Sequence, residues 1–228
     1  ENLLRMYIQF SSPMKTVGNL EKIRLLDERG AEVKGAIFNN VYELWNQEQN
    51  QLTLIFDPAR VKKGLQVHEE LGHAIKAGKS YQVVLSGLED IYHQPLNRTF
   101  VKSFVVTQKD TFPPNTETWK IIAPKSHSLT PVKVIFPDML DVISLRDRLM
   151  LTTMEGLEVT GKVSIGYAEK CWEFAPHVRW EPGRYILLVH SRLEDPAGNN
   201  LNGLFDHPVG SLKQTSEDQI QRIVFEIR

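Results

Sequence analysis

Residues 29–35, R-G-A-E-V-K-G, and residues 155–161, E-G-L-E-V-T-G, decide how the rest of the chain is read. Gly30, Val33 and Gly35 recur as Gly156, Val159 and Gly161, each 126 positions later (156 − 30). Outward from there, Phe10 in IQFSSPM recurs at the same spacing as Phe136 in VIFPDML. Phe56 and Pro58 in LIFDP recur as Phe174 and Pro176 in WEFAP, at a spacing of 118 (174 − 56). Leu88, Glu89 and Asp90 recur as Leu193, Glu194 and Asp195, and Phe100 as Phe205, at a spacing of 105 (193 − 88). A kept order with a falling spacing describes one unit written twice. The first copy carries 8 (126 − 118) and then 13 (118 − 105) extra residues in two connections, where insertions are tolerated. Two domains are expected, residues 1–109 and 110–228. They meet at Lys109-Asp110-Thr111-Phe112-Pro113-Pro114-Asn115, whose paired prolines make a stiff link.

Both copies alternate with period two. Met6, Ile8 and Phe10 alternate with Tyr7 and Gln9, and Leu52, Leu54 and Phe56 with Thr53 and Ile55, which marks strands with one buried face. Similar runs lie at 22–26, 80–85, 100–106, 133–136, 148–151, 171–174, 184–189 and 222–227. Gly and Pro turn signals separate them, at Arg29-Gly30, Asp57-Pro58, Ala77-Gly78, Glu181-Pro182-Gly183 and residues 195–199. Short strands without a long amphipathic helix after each predict an all-β protein of sandwich type rather than crossover units on a parallel sheet. Helical spacing occurs once, at Val67, Leu71 and Ile75, inside the second insertion of the first copy. A short helix or ordered loop capping one end of a sandwich is expected there.

Composition narrows the function classes. The 27 Lys and Arg against 28 Asp and Glu leave a formal charge of −1, which argues against a nucleic-acid binder built on excess basic charge. Hydrophobic residues at 41% and charged residues at 24% are ordinary globular usage, which excludes a disordered or fibrous chain. No apolar run reaches the roughly 18 residues of a membrane helix. Cys171 is the single cysteine, so neither an intrachain disulfide nor a multi-cysteine zinc site can be assembled. The chain opens with Glu1 directly before a strand-like pattern and reads as a mature or trimmed product.

The stretch LEDPAGNNL at residues 193–201, preceded by W-E-P-G-R-Y at 180–185, resembles the bacterial Ig-like domains found in S-layer and other exported proteins. Phe10, Ser11, Pro13 and Met14 match the early F-S-x-P-M element, which Phe136, Met139 and Leu140 carry in degraded form. The late D-x-A-G-N element is present at Asp195, Ala197, Gly198 and Asn199. The first copy departs from it, having Asp90-Ile91-Tyr92-His93-Gln94. The resemblance implies two tandem immunoglobulin-like β-sandwich domains without an active site, in a periplasmic or cell-surface protein. Independently of it, Gly198 is expected at positive φ, Trp172 in the second core, and Tyr81 and Tyr185 as buried rings with bonded hydroxyls. Trp119 and Trp180 are expected as interdomain or end plugs.

Chemistry-bearing motifs are few. His68-Glu69-Glu70-Leu71-Gly72-His73 invites a metal-dependent hydrolase, but H-E-x-x-H needs imidazoles at i and i+4 and these stand at i and i+5. Gly72 to Ser80 approaches a phosphate loop with one residue too many between its glycines and a strand pattern after it. No serine sits in a G-x-S-x-G elbow. Cys171 beside Trp172 is expected as an inert thiol. Asp195, Asn199 and Asn200 are hard oxygen donors and weak candidates for calcium, so no resident cofactor or metal is read. Tyr42 and Trp45, in the polar connection 39–51, offer a sugar-stacking or protein-contact platform, or else a lid folded back on the sandwich. The expected function is a non-enzymatic structural, spacer or binding segment of an exported bacterial protein. Its partners would be other domains of that or a neighbouring exported protein, or a surface glycan. A carbohydrate-binding or adhesive module is the first alternative, and a metal-dependent hydrolase at His68 and His73 the remote one.

Overall fold

Alternating Leu52, Thr53 and Leu54 place two leucines on one face of a strand, and the first layer of the first unit is built on that strand. The structure is a computed structural model and describes residues 1–39, 42–206 and 219–228. These group into two compact units, Glu1–Thr111 with Asp206, and Phe112–Phe205 with residues 219–228.

The first unit contains β1 (Arg5–Gln9), β2 (Ile23–Asp27), β3 (Leu44–Trp45), β4 (Gln51–Ile55), β5 (Ser80–Leu85) and β6 (Phe100–Val105). One antiparallel sheet has the order β1-β4-β3 and the other β2-β5-β6. Leu52, Leu54 and Phe56 from the first meet Ile23, Leu25, Tyr81, Val83 and Leu85 from the second in one core. The inward face of each strand is the apolar half of its alternation, and burying each leucine stabilises by about 1.5–3 kcal/mol.

The second unit contains β7 (Lys120–Ile122), β8 (Val132–Ile135), β9 (Leu149–Thr153), β10 (Gly161–Ile165), β11 (Cys171–Pro176), β12 (Gly183–His190) and β13 (Ile220–Ile227). Its sheets run β10-β11-β8-β7 and β13-β12-β9, again antiparallel. Trp172, Leu151 and Leu187 lie in its core, with Trp172 fully buried. Trp180 also belongs to this core, its indole N–H donating to the Thr130 carbonyl at 2.8 Å, and Trp119 packs edge-on against Phe136 with ring centroids 4.8 Å apart. Both tryptophans therefore fill the second unit itself.

The tyrosines do the same work in both units. The Tyr81 hydroxyl accepts the Lys76 N–H at 3.1 Å, and the Tyr185 hydroxyl donates to the Glu181 carbonyl at 3.0 Å. Each ring stacks on the phenylalanine opposite it in the sheet, Tyr81 on Phe104 at 6.0 Å and Tyr185 on Phe225 at 5.9 Å. That register corrects one sequence match. The counterpart of β6 is β13, and Phe205 is not the counterpart of Phe100. Tyr185 follows Tyr81 by 104 positions (185 − 81), and Phe225 follows Phe104 by 121 (225 − 104). The last connection is therefore 17 residues longer in the second copy (121 − 104). Phe205 closes the preceding turn, its N–H donating to Asn199 Oδ1 at 3.0 Å.

The helical spacing is also only partly realised. Helix α1 (Pro58–Val61) and helix α2 (Gln66–Leu71) fill the second insertion, while α3 (Val142–Asp147) joins β8 to β9. α2 stops at Gly72, whose φ of +63° turns the chain out of the helix. Leu71 is consequently exposed, and Ile75 enters the core from a loop. The buried Arg60 guanidinium donates to the Gly72, Leu71 and His73 carbonyls at 2.9, 3.3 and 3.3 Å, satisfying oxygens that a helix end leaves open.

Candidate functional site

The polar residues that recur in both units hold turns. Asp195 Oδ1 accepts the Ala197 and Asn199 N–H groups at 2.8 and 3.0 Å, and Oδ2 takes the Asn199 side-chain amide at 2.8 Å. Asp195 and Asn199 are buried at 4% and 1% exposure, and Gly198 adopts φ +80°. Asn200 Oδ1 accepts the Asn202 N–H at 2.9 Å. The candidate calcium ligands thus direct these oxygens at N–H donors of the turn itself. In the first unit Asp90 Oδ1 accepts the Tyr92 and Gln94 N–H groups, both at 2.9 Å, and His93 takes the place of Gly198 with φ +64°. The same turn is folded there without its glycine. Behind each turn the Glu89 and Glu194 carbonyls accept the N–H groups of Lys15 and Asp141 at 3.1 and 2.9 Å. Those two donors lie 126 positions apart (141 − 15).

His68 and His73 come together. Because α2 ends at Gly72, their rings meet edge to face with centroids 5.0 Å apart, where a continued helix would have turned them away from each other. His68 Nδ1 lies 2.7 Å from the Arg60 carbonyl, and His73 Nδ1 is buried without a hydrogen-bond partner. Burial, and then the neighbouring His68, hold the His73 imidazole below its usual pKa. Among the described residues no group of three His, Cys, Asp or Glu is placed to hold a metal ion, and none of them gives this pair a third ligand. Cys171 is half-buried, and burial and then Glu173 push its thiol up, which suits an unreactive role at neutral pH.

Tyr42 and Trp45 border one cleft of about 470 Å³, between the 3₁₀ turn Leu20–Lys22 and the segment entering β3. They behave differently. Trp45 is half-buried, tilted against Phe10 at 5.6 Å, and donates its indole N–H to Glu43 Oε2 at 3.0 Å. Tyr42 is 79% exposed. The connection 39–51 includes Asn40 and Val41, which lie outside the described residues. Sequence reading missed Glu43. Its carboxylate accepts the backbone N–H groups of Asn19 and Leu20 and the side-chain N–H groups of Asn19 and Trp45. Burial raises its pKa, but these hydrogen bonds outweigh that and hold the carboxyl below its ordinary range. The fall in repeat spacing from 126 to 118 was the available signal, since it marks this stretch as an addition to the shared unit.

No known family model matches the chain, and no curated protein does. Among solved structures, domains 1-6 of the surface layer protein SbsC match all of this chain and 39% of their own length, at 9% identity and a TM-score of 0.34. A second structure of that S-layer protein matches at 8% identity, again over 39% of its length with a TM-score of 0.34. Native alpha-2-macroglobulin from Escherichia coli matches over 68% of its chain at 9% identity and a TM-score of 0.30. The chain thus spans about two fifths of the S-layer structures it matches. TM-scores of this size do not establish a common fold, and the function proposed below rests on the chain's own residues.

Proposed function

We propose that the chain is a non-enzymatic structural or spacer segment of an exported bacterial protein, formed by two tandem immunoglobulin-like sandwiches over residues 1–109 and 110–228. The observation that carries this reading is that the side chains repeated between the copies are spent on the fold. Asp90 and Asp195 hold equivalent turns, and Tyr81 and Tyr185 tie equivalent strands to the backbone. A repeated reactive group would instead face solvent or a cleft.

Strand order supports the immunoglobulin-like assignment. Taken in chain order, the seven strands among the described residues of the second unit divide into first, second, fifth and fourth on one sheet and third, sixth and seventh on the other. That is the division of a constant-type sandwich, in which a tyrosine at the start of the sixth strand also bonds back to the backbone. The first unit repeats the order without the first strand among its described residues. Export to the periplasm or cell surface, and partners among other domains of the same or a neighbouring exported protein, follow from the sequence resemblance at residues 193–201.

The test has two parts. Purified chain, with and without added zinc, should turn over no ester, peptide or phosphate substrate, and protease shaving of intact source cells should release its peptides. Zinc-dependent turnover lost in His73→Ala would overturn the non-enzymatic reading. Peptides recovered only after cell lysis would overturn a cell-surface location, and peptides recovered only from the cytosolic fraction would overturn export.

A further inference from the structure

The two copies serve as controls for one another, and one of their differences lies beside Tyr42. In the second unit β10 runs unbroken along β11, with Val163 opposite Phe174. In the first unit Ile37, which lies 126 positions before Val163 (163 − 37), bridges Phe56 in the same way. The next described pairing of this edge is Leu44 opposite Thr53. It takes seven steps (44 − 37) where β4 takes three (56 − 53). The second unit completes its sandwich without this detour, so packing does not require it.

Asn39, Tyr42, Glu43 and Trp45 from this edge line one side of the cleft. Glu43, gripped by four N–H donors, pins this wall to the Asn19–Leu20 backbone, and Trp45 is fixed beside it through the same carboxylate. Glu43 and Trp45 held in this way are pre-organised, which lowers the entropy cost of binding beside them. The volume of about 470 Å³ lies within the roughly 300–1,000 Å³ of small-ligand sites.

The lining identifies the ligand chemistry. Tyr42 presents a largely exposed ring at the rim, and Val17, 83% exposed, offers a second apolar surface. Thr16, Glu21 and Asn39 also line the cleft and carry a hydroxyl, a carboxylate and an amide. Because the Glu43 oxygens are occupied by their donors, Glu21 is the carboxylate left to face a ligand, and the cleft is not built as a trap for a strong cation. A flat apolar ring beside planar hydrogen-bonding groups complements a sugar, whose C–H face stacks while its hydroxyls both donate and accept. We propose that the cleft beside Tyr42 binds the pyranose rings of an uncharged glycan. This goes beyond the spacer reading and stands or falls separately from it.

The test is calorimetric titration of the full chain with cellopentaose, chitopentaose and maltopentaose, with the Trp45 indole N–H followed by ¹⁵N NMR. At least one oligosaccharide should bind saturably and shift that resonance. Tyr42→Ala should weaken binding about tenfold or more with an unchanged melting temperature, while Tyr42→Phe, which keeps the ring, stays within about threefold of the parent. The proposal is overturned if none of the three binds, if Tyr42→Ala binds as well as the parent, or if Tyr42→Phe loses as much affinity as Tyr42→Ala.

Discussion

Gly198 and His93 occupy equivalent places in one turn geometry, and only one of them suits it. A left-handed backbone costs an ordinary L residue about 1–2 kcal/mol and glycine almost nothing. Gly198→Val should therefore destabilise the second unit by about that amount, lowering its unfolding temperature by several degrees. His93→Gly should act the other way in the first unit. The His93 side chain is largely exposed and its 3.8 Å approach to Glu89 is a surface contact of little weight, so about 0.5–1 kcal/mol of stability should be gained. Thermal melts of the two variants should move in opposite directions. Equal or same-direction shifts would contradict the shared turn.

At the scale of elements, the docking of the α2 segment makes the stability of the first unit sensitive to pH. Its docking brings His73 against His68, with Arg60 beneath and Glu1 and Lys109 within electrostatic range. Since burial and His68 lower the His73 pKa in the folded chain, the unfolded chain holds its proton to higher pH. This contribution to stability is complete above the unfolded value near 6.5. It is lost as pH falls from there through the folded value. Between pH 7.5 and pH 5 the parent should lose a few degrees more of melting temperature than His73→Gln, which carries no titrating group there. Identical pH profiles would show that the imidazole is not desolvated. The element also illustrates what local pattern cannot express. Val67, Leu71 and Ile75 have helical spacing, yet Gly72 ends the helix, and the apolar residue that reaches the core does so from a loop.

Across the whole molecule, each unit closes its own two-layer core, and stability is concentrated where the alternating strands face inward. Leu187, fully buried on β12, should cost about 2–5 kcal/mol when replaced by alanine, a large part of the roughly 5–15 kcal/mol of an ordinary domain. Hydrogen exchange on Leu187→Ala should show faster exchange in β9, β12 and β13, the sheet to which it belongs. Unchanged protection in those strands would place Leu187 outside the core.

The amino-acid sequence was enough to locate ten of the thirteen strands among the described residues, because a half-buried strand writes its burial into every second residue. It also disclosed the duplication, since a positive φ such as that at Gly30 and Gly156 favours glycine in both copies. The missed strands, β3, β7 and β10, are edge strands, where pairing rests on backbone hydrogen bonds more than on an apolar alternation. Tertiary structure alone decided which strand faces Tyr185, how His68 and His73 meet, and that Glu43 fastens the wall beside Tyr42. Each of these joins residues that chain folding brings together through strand register or a helix end, and neither is recorded in the local periodicity of side chains.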